Sequence, residues 1–170
     1  MTNTSAGAPM PMSRFLSAAG GHGRVVGVWP GDDAPALSAG VRWVVVDAAE
    51  MSTIAALFDE FSRAWGFPGH FGRNKDAFDD CMRDLAGDVA DGHEPSAYVT
   101  VIVNAEHLLR DDPDELRWFA SSLGFYRDHY RDVARPTATF AAILVTAPDL
   151  AEGVETCWRR AGSPVAILEA

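Results

Sequence analysis

The run VRWVVVD, residues 41–47, is apolar almost throughout and rich in β-branched residues. Such a run is typical of a strand that is buried on both faces of a sheet. Two later runs have the same character: YVTVIVN at 98–104 and TFAAILVT at 139–146. Because helical patterns separate the three runs, they predict parallel strands joined by helices. The predicted fold is a small, three-layer-like α/β structure in which helices cover a three-stranded parallel sheet.

The segments between the strands carry the start signals of helices. Ser52 is the predicted N-cap of one helix and Asn74 of the next, which is expected to extend to about Ala86. Asp112 is followed by a proline and two acidic residues, a pattern that predicts the N-cap of a third helix. Aromatic residues such as Trp43 are predicted to lie in the core.

The regions on either side of these elements are predicted to be extensions of one domain, which spans 41–146. Residues 1–40 begin with about twenty residues that we expect to form a loose tail, followed by a candidate short strand at 24–29. Residues 147–170 are predicted to hold a final helix and a candidate short strand at 164–169.

Composition restricts the classes of function. The 170 residues include 14 Lys and Arg against 24 Asp and Glu, for a formal net charge of −10. A nucleic-acid partner is not expected, because phosphate contacts need clustered cations. No run of about 18 apolar residues is present, so no membrane span is predicted. The N-terminal residues show no secretion signal, and we expect a cytoplasmic protein that is a monomer.

The two cysteines suggest no cofactor. Cys81 and Cys157 lie far apart in the sequence and match no metal-ligand or redox spacing. We expect both to be reduced thiols that are buried as small apolar groups.

Negative charge is concentrated in one segment. The window 76–94 holds seven acidic residues, opposed only by Arg83. Asp76, Asp80 and Asp84 are spaced four residues apart, which predicts a row on one face of a helix. Like charges at this spacing repel by roughly 0.2–0.5 kcal/mol per pair. A local cost of this kind often marks a functional surface, and rigidly held carboxylates suit the guanidinium and ammonium groups of a basic protein.

The loop before this helix adds a second feature. GFPGHFG at 66–72 is shaped by glycine and proline, and it is expected to bring His70 and Phe71 beside the start of the helix. Together the loop and the acidic row predict one half of an interface with a basic cleft.

The segment GFPGHFGRNKDAFDDCMRDL, residues 66–85, resembles the signature segment of the barstar family, intracellular inhibitors of secreted bacterial ribonucleases. The order of strands and helices over about 41–146 fits the same family and implies a barstar-type fold. The matching residues are Phe67-Pro68, Phe71, Gly72, Asn74, Asp76-Ala77, Asp80-Cys81 and Leu85.

This resemblance implies a role for each matching position. Asp76 and Asp80 would replace RNA phosphates against the catalytic cations of the enzyme. His70 stands where the family has an aromatic contact residue. Gly72 and Asn74 would shape the loop and cap the helix. The implied partner is a basic extracellular-type ribonuclease or another toxin, and no catalytic residue is implied.

Some positions differ from the family pattern or leave it open. Lys75 replaces an apolar or aromatic residue and adds a positive charge beside Asp76, while Asp79 stands where a bulky residue can join the interface. The family also uses an acid on the helix before the last strand, and either Asp128 or Asp132 fits that description.

Two other functions compete with this interpretation. The chain would be an interaction domain with no inhibitory activity if its acidic face only keeps it soluble. It would be a small metal-dependent phosphoesterase if Asp47, near Asn104 at the ends of the strands, joined His70, Asp76 and Asp80 around Mg²⁺ or Mn²⁺. Among motifs with a known mechanism, the chain carries no HExxH, P-loop or GxSxG sequence.

Overall fold

A computed structural model describes residues 7–85 and 92–170. In these residues five parallel strands form one sheet in the order β2-β3-β4-β1-β5. The strands are β1 Val26–Pro30, β2 Val41–Asp47, β3 Ala97–Val103, β4 Thr139–Thr146 and β5 Ala166–Ile167. The helices are α1 Met12–Ala19, α2 Ile54–Trp65, α3 Lys75–Met82, α4 Glu115–Asp132 and α5 Ala151–Arg160. None of the helices in the described residues is both long and apolar enough to cross a bilayer.

The parallel α/β fold is confirmed, but the sheet has five strands rather than three. The three apolar runs form β2, β3 and β4. The two short candidate strands also join the sheet, because β1 pairs with β4 and β5 pairs with β1. Residues outside 41–146 therefore belong to the same sheet. A short apolar run does not reveal its pairing partner, since that partner lies far away in the sequence.

The N-terminal tail is more ordered than the sequence suggested. Helix α1 covers the face of the sheet opposite α2–α5, and Phe15 and Ala19 are buried there. The expectation of a loose tail is therefore wrong for α1. A parallel sheet needs cover on both faces. Gly27 makes this close packing possible, because a Cβ there would lie 2.9 Å from a Leu168 methyl carbon and 3.2 Å from Phe15.

Three side chains are more exposed than predicted. Trp43 is 40% exposed, because β2 lies at the edge of the sheet and α1, on the same face, packs against β4 rather than over this strand. Cys81 is only partly buried and Cys157 is exposed, so the prediction of two buried thiols is wrong. Both cysteines are free, as expected.

The N-caps of α2 and α3 differ in part from those predicted. Asn74 caps α3 as predicted, whereas Thr53 rather than Ser52 caps α2 through a 3.2 Å hydrogen bond from the Ala56 amide. The Asp112 carboxylate accepts a 2.9 Å hydrogen bond from the Ile54 amide, at the start of α2. Asp112 therefore caps α2 from a distance, and α4 begins later, at Glu115.

We predict that Asp112→Ala lowers the free energy of unfolding by about 1 kcal/mol, the usual cost of losing an N-cap. Urea denaturation followed by circular dichroism measures this change. Asp114→Ala is the matched control, because Asp114 makes no capping hydrogen bond with its side chain. Equal losses in the two variants would show that the contact between Asp112 and Ile54 contributes nothing specific.

Candidate partner-binding surface

Helix α3 is held in place by an aromatic cluster. Phe78 is fully buried, and its ring lies within 6.4 Å, centroid to centroid, of five other rings. These rings belong to Phe58, Phe61, Phe67, Trp118 and Tyr126. The cluster joins α3 to α2, α4 and the loop between α2 and α3. The opposite side of α3 is left facing solvent.

The loop of residues 66–74 is fixed by the same cluster. Phe71 is half-buried and packs edge-on against Phe58 and Phe67, with ring centroids 6.1 and 5.1 Å apart. Phe71 therefore has a structural role besides the partner contact that was predicted for it. His70, one residue earlier, is exposed.

The start of α3 is closed by hydrogen bonds of Asn74. Its Oδ1 atom accepts from the Ala77 amide at 2.9 Å, and its Nδ2 atom donates to the Gly72 carbonyl at 3.3 Å. Arg73, between them, has a left-handed backbone (φ 49°), and its guanidinium donates to the Asp59 carboxylate at 2.8 Å. These contacts hold the loop against α2 and set the direction of α3.

Asp76 and Asp80 of α3 differ in whether their carboxylates are paired with another side chain. Asp76 is exposed in the first turn of α3, where the helix dipole favours an anion. Its side chain has no hydrogen bond or ion pair within residues 7–85 and 92–170. The Asp80 side chain is 75% exposed, and one of its oxygens lies 2.6 Å from Arg83 Nη2. Asp76 is thus a bare carboxylate, whereas Asp80 is already paired.

The predicted row of three carboxylates on one helix is wrong for its last member. Helix α3 ends at Met82, so Asp84 is exposed beyond the helix. Tyr130 of α4 causes this end, since its hydroxyl accepts from the Leu85 amide at 3.0 Å and donates to the Met82 carbonyl at 2.8 Å. The predicted extension to about Ala86 is therefore wrong, and Ala86, Asp88 and Asp91 themselves lie outside the described residues.

Lys75 interacts with α4 rather than with its neighbour Asp76. Its ammonium lies 2.6 Å from the Glu115 carboxylate and 5.1 Å from the centre of the Trp118 ring. Its charge is therefore balanced within the protein, and it opposes Asp76 less than the sequence suggested.

Asp79 points into the junction between α3 and α4. Its carboxylate accepts a hydrogen bond from the Tyr126 hydroxyl. Burial, and then this hydrogen bond, raise the pKa of Tyr126 far above its ordinary value. The pKa of Tyr130 is also raised, mainly by burial. Asp79 is therefore a structural acceptor, and no sequence signal links it to a tyrosine 47 residues away.

Two further side chains on this surface were not predicted from the sequence. Phe125 is 50% exposed, and the Arg83 guanidinium lies 5.2 Å from the centre of its ring. Arg83 Nε also donates to the Asp79 main-chain carbonyl at 3.2 Å. Arg83 is thus held beside Asp80 by three separate contacts, and Phe125 adds an apolar edge to the surface.

A family model described as "Barstar (barnase inhibitor)" matches residues 41–142. The chain belongs to the barstar family. The match includes the loop and α3, and so it contains every partner-binding residue predicted from the sequence. No curated protein sequence matches the chain.

The α4 acids that the barstar resemblance singled out are both ion-paired. Arg131 lies 3.2 Å from an Asp128 oxygen and 2.6 Å from an Asp132 oxygen. The hydrogen bond and charge of Arg131 lower the pKa of Asp132. Arg131 also donates to the Gly21 carbonyl at 2.8 Å, which ties the segment before β1 to this helix. The same arginine pairs with both acids, so the two remain alternatives.

The geometry does not favour the phosphoesterase hypothesis in this barstar-family chain. The Oδ1 atom of Asp47 accepts hydrogen bonds from the Ala49 amide at 2.9 Å and the Asn104 side-chain amide at 2.8 Å. Within the described ranges, no group of three or more His, Cys, Asp or Glu side chains is arranged to hold a metal ion. The donors that the hypothesis required are therefore not brought together.

The thiol at the edge of the acidic face is not activated. The pKa of Cys81 is raised by burial and then by the charges of Asp80 and Asp84. A raised pKa keeps the thiol protonated near neutral pH, which makes it a weak nucleophile.

We predict a loss of stability at alkaline pH that depends on Tyr126 and Tyr130. Both have a folded-state pKa above the unfolded value of about 10, so their stabilising effect is complete below that pH and is lost as the pH rises above it. Urea denaturation at a series of pH values from neutral to alkaline measures the effect.

The variants Tyr126→Phe and Tyr130→Phe provide the comparison. Each should be less stable at neutral pH by about 1–3 kcal/mol, because a buried acceptor loses its donor. Each should also lose less stability between neutral and alkaline pH than the wild type. Parallel curves for the wild type and both variants would contradict the assignment.

Proposed function

We propose that this barstar-family protein inhibits a basic ribonuclease or a related toxin by covering its active site with the loop and α3. The supporting observation is Asp76, an exposed carboxylate that has no partner among the described residues, on a helix that a buried aromatic cluster holds rigid. A rigid anion loses little conformational freedom when it binds, and this favours affinity.

The proposed mechanism is substitution of phosphates by carboxylates. An enzyme that cleaves RNA presents arginine, lysine and histidine groups to the phosphates, and Asp76 with Asp80 would accept hydrogen bonds from the same groups. His70, exposed on the preceding loop, would contact the rim of the cleft. The net charge of −10 would speed the encounter with a basic partner, and salt would slow it.

Internal pairing gives the two aspartates different parts in this mechanism. Asp76 is ready to accept a cation of the partner. Asp80 has to exchange its contact with Arg83, 2.6 Å away, for a contact with the partner. We therefore assign the main anchor to Asp76 and a weaker, competitive contact to Asp80.

The proposal places the protein in the cytoplasm, where such an inhibitor would protect the cell that makes the toxin. Its proposed partner is a protein, since the acidic surface repels nucleic acid. An interaction domain without inhibitory activity is the alternative, and the following titration separates the two.

We predict that the wild-type protein inhibits a barnase-type extracellular ribonuclease stoichiometrically, and that Asp76→Ala/Asp80→Ala abolishes this at equal concentration. Truncating buried charge contacts in an interface typically costs about 2–5 kcal/mol of binding free energy. Hydrolysis of a fluorogenic RNA substrate, titrated with each protein, measures inhibition.

Asp32→Ala/Asp33→Ala is the matched control for that titration. Both residues are exposed in the connection between β1 and β2, and the double substitution changes the net charge by the same amount. It should inhibit like the wild type. Equal loss in both double variants would indicate general charge attraction, and no inhibition by the wild type would exclude this class of ribonuclease as the partner.

We predict that Arg83→Gln binds the inhibited ribonuclease about two- to fivefold more tightly than Arg63→Gln. Removing Arg83 frees Asp80, and an exposed ion pair is worth up to about 1 kcal/mol. Arg63 is the matched control, because its exposed guanidinium pairs with the mostly buried Glu60 at the same three-residue spacing outside α3. Surface plasmon resonance measures both affinities, and equal values would show that Arg83 does not compete for Asp80.

A further inference from the structure

A cleft of about 590 Å³ lies beside α4, and its lining includes none of the residues of α3. Its walls are α4, the residues that follow α5 and the loop before β1. We call it the arginine cleft, defined by His22, Arg24, Arg117, Ser121, Arg127 and Ser163.

The cleft is set apart from the rest of the protein by its charge. Every titratable side chain in its lining is basic, although the protein carries a net charge of −10. Elsewhere arginines such as Arg63 and Arg73 lie within 2.8 Å of a carboxylate. The arginine cleft therefore concentrates positive charge that the protein's own acids neutralise only in part.

The three guanidinium groups differ in how they are held. Arg24 donates to the Val165 carbonyl, and Arg127 Nη1 donates to the Gly23 carbonyl at 2.6 Å. These contacts fix two arginines in the walls and leave each with further N–H groups. Arg127 also pairs with Asp128 at 3.0 Å, an acid outside the lining.

Arg117 is the most available of the three. It is exposed, and it makes no hydrogen bond or ion pair within the part of the chain that the structure describes. Gly124 lines the cleft, and the space into which a side chain at this position would project is open. The cleft thus has both a free cation and room for a ligand.

The lining also limits the kind of ligand. Guanidinium groups bind phosphate oxygens in a bidentate manner, and the hydroxyls of Ser121 and Ser163 can donate to the same oxygens. Among the described residues, no Phe, Tyr or Trp side chain lines the cleft, so a nucleobase would find only the His22 imidazole to stack on. Its size lies within the range of small-molecule sites.

We propose that the arginine cleft binds a small molecule that carries phosphate groups, with Arg117 as the ligand-gathering cation and Arg24 and Arg127 as fixed donors. The site is independent of the proposed inhibitor function. Arg117 and Ser121 also border the hollow between α4 and α3, whereas Arg24, Gly124 and Arg127 line the cleft and not that hollow, and neither Asp76 nor Asp80 lines the cleft.

The test uses pyrophosphate as the probe and isothermal titration calorimetry on the full chain. The wild type should bind pyrophosphate, and Arg117→Gln should bind it at least about tenfold more weakly, because one charge-assisted contact is lost. Arg117→Lys keeps the charge without the planar fork and should fall between them. Arg110→Gln, an exposed arginine outside the cleft, should bind like the wild type.

Three results would overturn the proposal. No binding of pyrophosphate by the wild type at millimolar concentration would exclude the site. Equal weakening in Arg117→Gln and Arg110→Gln would indicate general charge attraction. Equal binding of citrate would show that the cleft accepts any polyanion, and so would refute its assignment to phosphate.

Thermal unfolding without ligand separates binding from a structural role. The cleft lies at the C-terminal end of α5, whose carbonyl groups carry partial negative charge that nearby arginines can offset. Arg117→Gln should have an unchanged Tm. A lower Tm combined with unchanged pyrophosphate binding would make Arg117 a structural residue and contradict the proposal.

Discussion

Burial of Phe78 is the contact on which the candidate surface depends. Its ring touches residues from α2, α4 and the loop between α2 and α3, so one side chain sets the position of three segments. Aromatic packing of this kind is stiff, because large rings fill the space between helices and leave few alternative arrangements. Because α3 is held rigidly, the backbone that carries the carboxylates on its outer side is held rigidly as well. A flexible acidic loop would have to be ordered at the moment of binding.

Most of the charged side chains of residues 66–85 already have a partner within the protein. Lys75 forms an ion pair with Glu115, and Arg83 forms one with Asp80. The Asp79 carboxylate accepts a hydrogen bond from the Tyr126 hydroxyl. Net charge counted along the sequence therefore overstates what a partner would meet. Within the described residues, the exposed Asp76 and Asp84 side chains have no such partner, and Asp76 lies at the helix end where the dipole already stabilises an anion. The proposed inhibitor function depends on Asp76 more than on the total charge.

Helix α4 connects the two proposed sites. One side carries Trp118 and Tyr126, which support α3, and another side carries Arg117, which lines the arginine cleft. Successive residues of a helix are separated by about 100°, so neighbours in the sequence serve different surfaces. The whole of α4 lies within the region that the barstar family model matches. The cleft depends on residues before β1 and after α5, which lie outside the region that the family match covers.

Much of the architecture was predictable from the sequence, because strands, N-caps and acidic rows are patterns within a few neighbouring residues. The three long strands, the cap at Asn74 and the exposed carboxylates were predicted this way. Only the tertiary structure decided that Asp112 caps α2, that Tyr130 ends α3 and that Tyr126 holds Asp79. Each of these contacts joins groups 45 to 58 residues apart, so local spacing carries no signal for them. The sequence by itself determined where the charges are, and the fold decided which of them remain free.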